Sequence, residues 1–265
     1  MNMYYVEIEF WSESNIAHFL YQSLSLLMDI INNTTNNIIL LVPQHIISNF
    51  QTRWHSGILK ILESNIDNFS LQIKDNSRHV NTYIIKPQCP SKINVNNLKK
   101  LREFTMKYYN ISYPLNISYK ILLTRIQDIG VSRRHVYGFE KVKDHFDLII
   151  HSLNISFEEQ VKLFSKCSHF VSVEGSSHFS NSIFMPSESK IMSICTRTDF
   201  SSLNDRTVNY DSWQLRFGGA ELVKEFNVQT KATTRVACNT EQDHDMNDHI
   251  MIDDKLKEAI ILFLA

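Results

Sequence analysis

Glycine is scarce, six residues in 265, and none of them falls into a GxGxxG or Walker spacing. A glycine-rich loop of the dinucleotide or P-loop kind is therefore excluded. Cysteine is almost as rare. Cys89, Cys167, Cys195 and Cys238 stand far apart, with no CxxC pair, so free, mostly buried thiols in a reducing compartment are expected. An excess of either charge is missing too: 27 Lys and Arg face 28 Asp and Glu, for a net charge of −1. No global field draws the chain to nucleic acid or to an anionic membrane, and an anionic ligand needs a local cluster of cations. The longest apolar runs, 38–43 and 259–265, fall far short of the ~20 residues that span a bilayer. Residues 1–10 are acidic and strand-like, without the basic and apolar regions of a signal peptide. Cytoplasmic location is the expectation, and the Asn-x-Ser/Thr sequons at Asn33, Asn110, Asn116 and Asn154 are read as chance.

What the chain does have is apolar content, 43% of residues, enough for one large or two small domains. Residues 4–10 alternate as a half-buried strand does. Ser14 or Asn15 is placed to cap a helix over 16–31 with Phe19, Leu20, Leu24 and Leu27 on one face. An apolar strand over 38–42, a helix over 45–62, a strand over 80–85 and an amphipathic helix over 95–108, with Leu98, Leu101 and Phe104 inward, follow. The segment 110–116, with Pro114, is the boundary between halves, giving domains 1–115 and 116–265. Beyond it the spacing predicts strands at 119–124, 147–150, 169–173 and 190–195, and helices at 138–145, 156–165 and 176–184. After 197 only 233–237 reads as a strand. A helix over 253–264 closes the chain, free to pack back on the N-terminal half. Strands alternating with helices of this length mean an α/β fold with parallel sheets.

Two segments carry candidate chemistry. In the first, Arg125 follows an apolar strand directly, and Arg133 and Arg134 come a short loop later, before Glu140. Ligands of open α/β sheets bind at carboxyl strand ends, and guanidiniums are forked, permanent donors suited to a pyrophosphate. An ordinary solvated cluster fits these residues as well. In the second, an apolar strand runs into Glu174, Gly175, Ser176 and Ser177, then His178 and Asn181. Such a turn either exposes backbone N–H groups to phosphate or simply caps the next helix. No GxSxG supports a serine hydrolase, and the eleven histidines form no HExxH. A metal site is not expected; Asp243, Asp245 and Asp248 near His244 and His249 read as an acidic loop. His18, one turn after Asn15 in the first helix, is either a core histidine or a general base of near-neutral pKa.

These segments resemble, in order, those of the family 61 glycosyltransferases. Asn15-Ile16-Ala17-His18-Phe19-Leu20-Tyr21 is similar to the family's Asn-x-x-His-aromatic-Leu block, and Trp54 to Leu62 looks like its Trp…Leu-Leu helix. Thr124-Arg125 with Arg133-Arg134 and Glu140 resembles its Ser-Arg…Arg…Asn-Glu segment. Ser156-Phe157-Glu158-Glu159-Gln160 is close to its Ser-Phe-x-Glu-Gln helix. Glu174-Gly175-Ser176-Ser177 with Asn181, Phe184 and Pro186 parallels its Gly-x-His-Gly-Ala…Thr-Asn-x-x-Phe-x-Pro motif, although the motif's histidine is absent here. The resemblance implies a GT-B-like architecture: two Rossmann-like domains with parallel sheets and a cleft between them. It also implies an inverting transfer without bound metal or other cofactor. The partners would be a nucleotide-sugar donor, UDP-linked on this reading, and a glycan or polysaccharide acceptor. Arg125, Arg133, Arg134, Glu140, Gln160, Glu174, Gly175, Ser176, Ser177, His178 and Asn181 would bind the donor, with His18 or Glu13 as base. The missing histidine leaves a second reading open, a sugar- or nucleotide-binding relative that keeps the fold without transfer. An epimerase would need the dinucleotide fingerprint already excluded.

Overall fold

The computed structural model describes residues 3–8, 16, 19–48, 53–75, 82–86, 95–112, 117–124, 136–151, 155–173, 180–194, 225–229, 234–236 and 249–265. The chain divides into two compact units, Met1–Tyr113 and Pro114–Ala265.

The first unit is an α/β layer structure. Its elements are β1 (Met3–Ile8), a π-helical turn (Phe19–Leu24) leading into α1 (Ser25–Asn32), β2 (Asn37–Val42), α2 (Gln44–Ser48), α3 (Arg53–Asn65), β3 (Phe69–Ile73), β4 (Thr82–Ile85) and α4 (Val95–Tyr108). The strands pair in parallel in the order β3-β2-β1-β4. β2 is apolar almost throughout, with Leu40 and Val42 fully buried, as expected of a strand covered on both faces. The helix expected over 16–31 is widened: its first described turns are π-helical, and Phe19, Leu20, Ser23 and Leu24 are all buried there. α4 is tied to α1 by Asn97, which is buried and donates to Ser25 O (3.0 Å) and to Asp29 Oδ1 (2.7 Å). A buried amide so engaged fixes one helix against the other. Phe104, expected inward, is only half-buried under the Lys100 ammonium. Thr105 and Met106 take the inner positions instead.

Of the helix expected over 45–62, two helical stretches are described, α2 and α3, and residues 49–52 lie outside the described residues. In α3 the ring of His55 is buried and packs on Phe19 at 4.6 Å. β3 was not anticipated. It is a five-residue edge strand whose Ser70 and Gln72 break up the apolar pattern.

The second unit holds β5 (Tyr119–Leu123), β6 (Val136–Tyr137), β7 (Leu148–Ile150), α5 (Phe157–Phe164), β8 (Cys167–Val173), β9 (Lys190–Ile194), β10 (Glu225–Gln229), β11 (Thr234–Val236), β12 (His249–Met251) and α6 (Asp254–Leu264). Five strands form one parallel sheet in the order β10-β9-β8-β5-β7. Counted along the chain within that sheet, the order is 2-1-3-4-5 read from β7, a doubly wound arrangement whose direction reverses beside the first strand. Both parallel sheets are of the Rossmann-like kind. A smaller sheet, β11-β12-β6, pairs β6 with β12 in parallel.

Both faces of the five-stranded sheet are covered. On one, Phe164 of α5 meets Phe170 of β8 edge-on at 4.8 Å, and Phe157 meets Phe184 at 5.9 Å. On the other, Leu256, Ile260, Phe263 and Leu264 of α6 join Leu122, Val171, Met192 and Ile194 in a single apolar cluster. The last helix is thus accounted for inside the second unit, where the sequence left it free to reach the first. Its start is set by Asp253, whose carboxylate accepts from Leu256 N–H at 2.8 Å. In place of the helix expected over 138–145 stand two 3₁₀ turns, Phe139–Lys141 and Lys143–His145. Gly138 precedes them at φ +74°, and a Cβ there would lie 3.2 Å from Ile252 O. Glycine is needed at that point for its left-handed backbone and for the close approach of α6's lead-in.

Candidate functional site

The order of the larger sheet decides what can meet at its carboxyl edge. β5 and β8 are parallel neighbours in register Leu123↔Ser172, so the chain leaves both strands at the same edge, on adjacent tracks. β7 flanks β5 on its other side, in register Leu123↔Ile150. Strand neighbours lie about 4.8 Å apart, so three consecutive strand ends fall within about 10 Å. The reversal of strand order lies between β5 and β8, the place where open α/β sheets bind ligands.

Thr124 is the last described residue at the end of β5. It is buried, and its N–H extends the pairing by donating to Ile150 O at 2.9 Å. Arg125 is next in sequence. At the end of β8, Val173 is buried and Glu174 is next. Arg125, Arg133, Arg134, Glu174, Gly175, Ser176, Ser177 and His178 lie outside the described residues, as do Glu13 and His18. Val136, two positions beyond Arg134, is buried in the apolar cluster and paired with Ile250. The arginine segment therefore starts and ends at fixed points of the second unit, 124 and 136.

Three predicted site residues are described. Gln160 is fully buried in α5, and its Nε2 donates to Ile155 O at 3.3 Å, bracing the loop that leads from β7 into that helix. Asn181 is fully buried in the helical residues 180–182 that follow β8, with its carbonyl accepting from Phe184 N–H. Glu140 is exposed in the first 3₁₀ turn, on the path toward the amino end of β7. That end sits beside the start of β5, where Lys120 N–H donates to Asp147 Oδ2 at 2.7 Å. Gln160 and Asn181 thus belong to elements that follow strands of the carboxyl edge, whereas Glu140 precedes β7.

α5 caps its own amino end. Ser156 Oγ accepts from Glu159 N–H, and the Glu159 carboxylate accepts from the N–H and hydroxyl of Ser156 at 2.8 and 2.7 Å. Those two bonds, the hydroxyl's first, hold the Glu159 pKa below the usual 4.5, with Lys162 adding to them. A carboxylate with a depressed folded-state pKa contributes stability above its unfolded value and loses it as pH falls through the folded one. Unfolding midpoints followed from neutral pH to below about 4.5 should fall more steeply in the native chain than in Glu159→Gln. Parallel profiles would show that the capping carboxylate is not titrating with the fold.

Sequence reading passed over two groups at carboxyl edges. His151 follows β7 directly and is only 6% exposed. The rule that singled out Arg125, the first polar residue after an apolar strand, also singles out His151. At the first sheet, Lys74 follows β3, donates its N–H to Val42 O (2.9 Å) and pairs through Nζ with Glu7 of β1 at 2.7 Å. With half-exposed partners such a pair contributes at most about 1 kcal/mol, and it fastens β3 to β1 across β2. Glu13 and His18 come after β1 in sequence.

Among the described residues no three His, Cys, Asp or Glu side chains gather as metal ligands, and no helix is long and apolar enough to cross a membrane. The stretch Asp243, Asp245 and Asp248 lies outside them. Cys167 is a free, buried thiol whose pKa burial pushes far up, so it is chemically inert in the folded chain. Comparison with curated proteins gives no match. The family Glycosyltransferase 61 matches residues 16–192, well over half of the chain. That span holds His18, all three candidate arginines, residues 174–178 and Asn181, and it leaves Glu13 out. With parallel α/β sheets in both units and the family match running through residues of both, the chain belongs to glycosyltransferase family 61 and is a glycosyltransferase.

Proposed function

We propose that the enzyme moves a sugar from a nucleotide-diphosphate donor, UDP-linked, to a glycan or polysaccharide acceptor, with inversion at the anomeric carbon and without a bound metal. The observation that supports this most is the pairing of β5 with β8 at the reversal of strand order, which puts the starts of the two candidate diphosphate-binding segments side by side. Arg125 with Arg133 and Arg134 would neutralise the departing diphosphate, where negative charge grows in the transition state. Backbone N–H groups and hydroxyls of Gly175, Ser176 and Ser177, next to Glu174 and His178, would bind the same group. Gln160 and Asn181, both buried, would hold the loops that carry these contacts, and Glu140 would reach the ribose or base. In a GT-B-like arrangement the acceptor lies on the first unit, beyond β1. There His18, or Glu13, takes the proton of the acceptor hydroxyl as its oxygen attacks the anomeric carbon and the bond to the diphosphate breaks.

Incubating the purified chain with UDP-, GDP-, CMP- and dTDP-sugars and a panel of oligosaccharides, with and without EDTA, tests this. The expected result is transfer from a UDP-sugar that survives EDTA and gives a product of inverted anomeric configuration by NMR. Binding of a donor at saturation without transfer to any acceptor identifies the non-catalytic alternative, raised by Glu174 and Gly175 standing where the family motif has its histidine. No binding at all rejects both.

A further inference from the structure

The amino edge of the five-stranded sheet, opposite the proposed donor site, carries a cleft that the mechanism does not use. Its volume is about 500 Å³, within the range of small-ligand sites. It opens between the end of α6, the start of β5 and the 3₁₀ turn that leads into β7. Lys120 fixes both walls. Its Nζ donates to Leu264 O at 2.7 Å and holds the end of α6. Its backbone N–H donates to Asp147 Oδ2 at 2.7 Å and holds the entry to β7. The turn is braced as well, since His145 N–H donates to Val142 O and Phe146 N–H to Lys143 O, and Val142 has no exposed surface. Walls fixed in this way are formed before a ligand arrives, which removes an ordering cost from binding.

The lining mixes donors, acceptors and apolar surface. Asp144 and Asp147 bring carboxylates and His145 brings an imidazole, and all three are exposed. Phe146, half-buried against the apolar cluster, and Ile261 add apolar surface. A phosphate is a poor fit, because two carboxylates and the carboxyl end of α6 border the same space. Among the described residues no three metal-ligating side chains gather. A wholly apolar ligand would strip water from the carboxylates and return nothing. A molecule with hydroxyl groups at its rim and C–H groups on its faces answers to every part of the lining. We propose that the cleft binds a neutral sugar unit of a glycan, with Asp144 and Asp147 accepting from its hydroxyls and Phe146 and Ile261 against its C–H face. This goes beyond the function proposed above and does not need the donor site. For an enzyme that acts on a glycan chain, a second hold on the chain raises its effective concentration at the first.

The test is an NMR titration of the native chain with β-1,4-linked pentasaccharides of glucose, xylose, mannose and N-acetylglucosamine, followed by backbone amide shifts. Anionic pentagalacturonate and cationic pentaglucosamine serve as charged counterparts. At least one neutral pentasaccharide should saturate at millimolar concentration and move the amides of Lys120, 144–147 and 261–265, with UDP present or absent. The double variant Asp144→Ala/His145→Ala, in which both changes are at exposed positions, should keep the native unfolding midpoint and bind that sugar about fivefold more weakly or worse. No shift at these amides with any neutral pentasaccharide overturns the proposal, and this result needs no variant. Affinity unchanged in the double variant overturns it too, as does tighter binding of either charged pentasaccharide at the same amides. Shifts confined to the carboxyl edge, around Thr124 and Val173, mean that the sugar binds only there and also overturn it. A chain that binds no nucleotide yet shows the expected shifts loses the donor site and keeps this one.

Discussion

Phe164→Ala should destabilise the second unit by about 3–5 kcal/mol, the usual range for truncating a fully buried phenylalanine. Phe164 has no exposed surface, and its ring meets Phe170 edge-on at 4.8 Å, locking α5 to the central strand β8. Alanine removes the ring's buried area and the aromatic pair and leaves a cavity that β8 cannot close, because β5 and β9 hold it on both sides. Every 1.4 kcal/mol is a factor of ten in an opening equilibrium, so amide exchange in β5, β8 and α5 should speed up by about two to three and a half orders of magnitude. Peptides from β1 and β2, in the other unit, should keep native protection. If protection in β8 changes by less than about tenfold, the ring is not the anchor that its burial implies. Phe164→Leu, which keeps most of the volume, should lose far less.

Elements with a strong local signal were legible in the sequence. α4 is found at the expected residues 95–108, and α6 begins one residue after the expected start, where Asp253 stops the preceding chain and caps the helix. The apolar runs of β2, β5, β8 and β9 could hardly be anything but buried parallel strands. What failed was short or decided elsewhere. β3, β6, β10 and β12 have two to five residues each, and they exist because a neighbouring strand is there to pair with. Residues 138–145 carry a helical pattern that Gly138, held at φ +74° against Ile252, does not allow to start as an α-helix. The π-helical turn before α1 answers to the crowding of Phe19, Leu20 and Leu24 in the core, which no local propensity encodes.

The candidate site divides in the same manner. That Arg125 and Glu174 each follow a buried strand could be read off the residues, because an apolar run ends just before each. That the two strands are neighbours could not. β7 comes between them in the chain but pairs on the far side of β5, and strand order is set by which crossover buries the most apolar surface, a property of the whole sheet.

Arg125→Ala should lower kcat/KM for the nucleotide-sugar by about 10²–10³-fold, the equivalent of about 2.7–4 kcal/mol of transition-state stabilisation. Its place in the chain is the reason for expecting the largest effect of the three arginines. Thr124 is buried and bonded to Ile150 O at 2.9 Å, so the backbone one residue before Arg125 is fixed on the edge where strand order reverses. On the proposed donor site, a charge carried one residue beyond that fixed base would need little reorganisation as negative charge develops on the leaving diphosphate. Arg133 and Arg134 stand nearer the other fixed point, Val136, and their alanine variants should lose less. Arg125→Lys keeps the charge but not the two-pronged donor, so only part of the rate should return. Steady-state kinetics with donor and acceptor varied separately decide the matter. The expected loss falls mainly on kcat, because the contact strengthens as charge develops. A loss confined to KM would mean that Arg125 binds donor and transition state alike. An Arg125→Ala variant within about threefold of the native kcat/KM, with an unchanged unfolding midpoint, would take the diphosphate away from the end of β5.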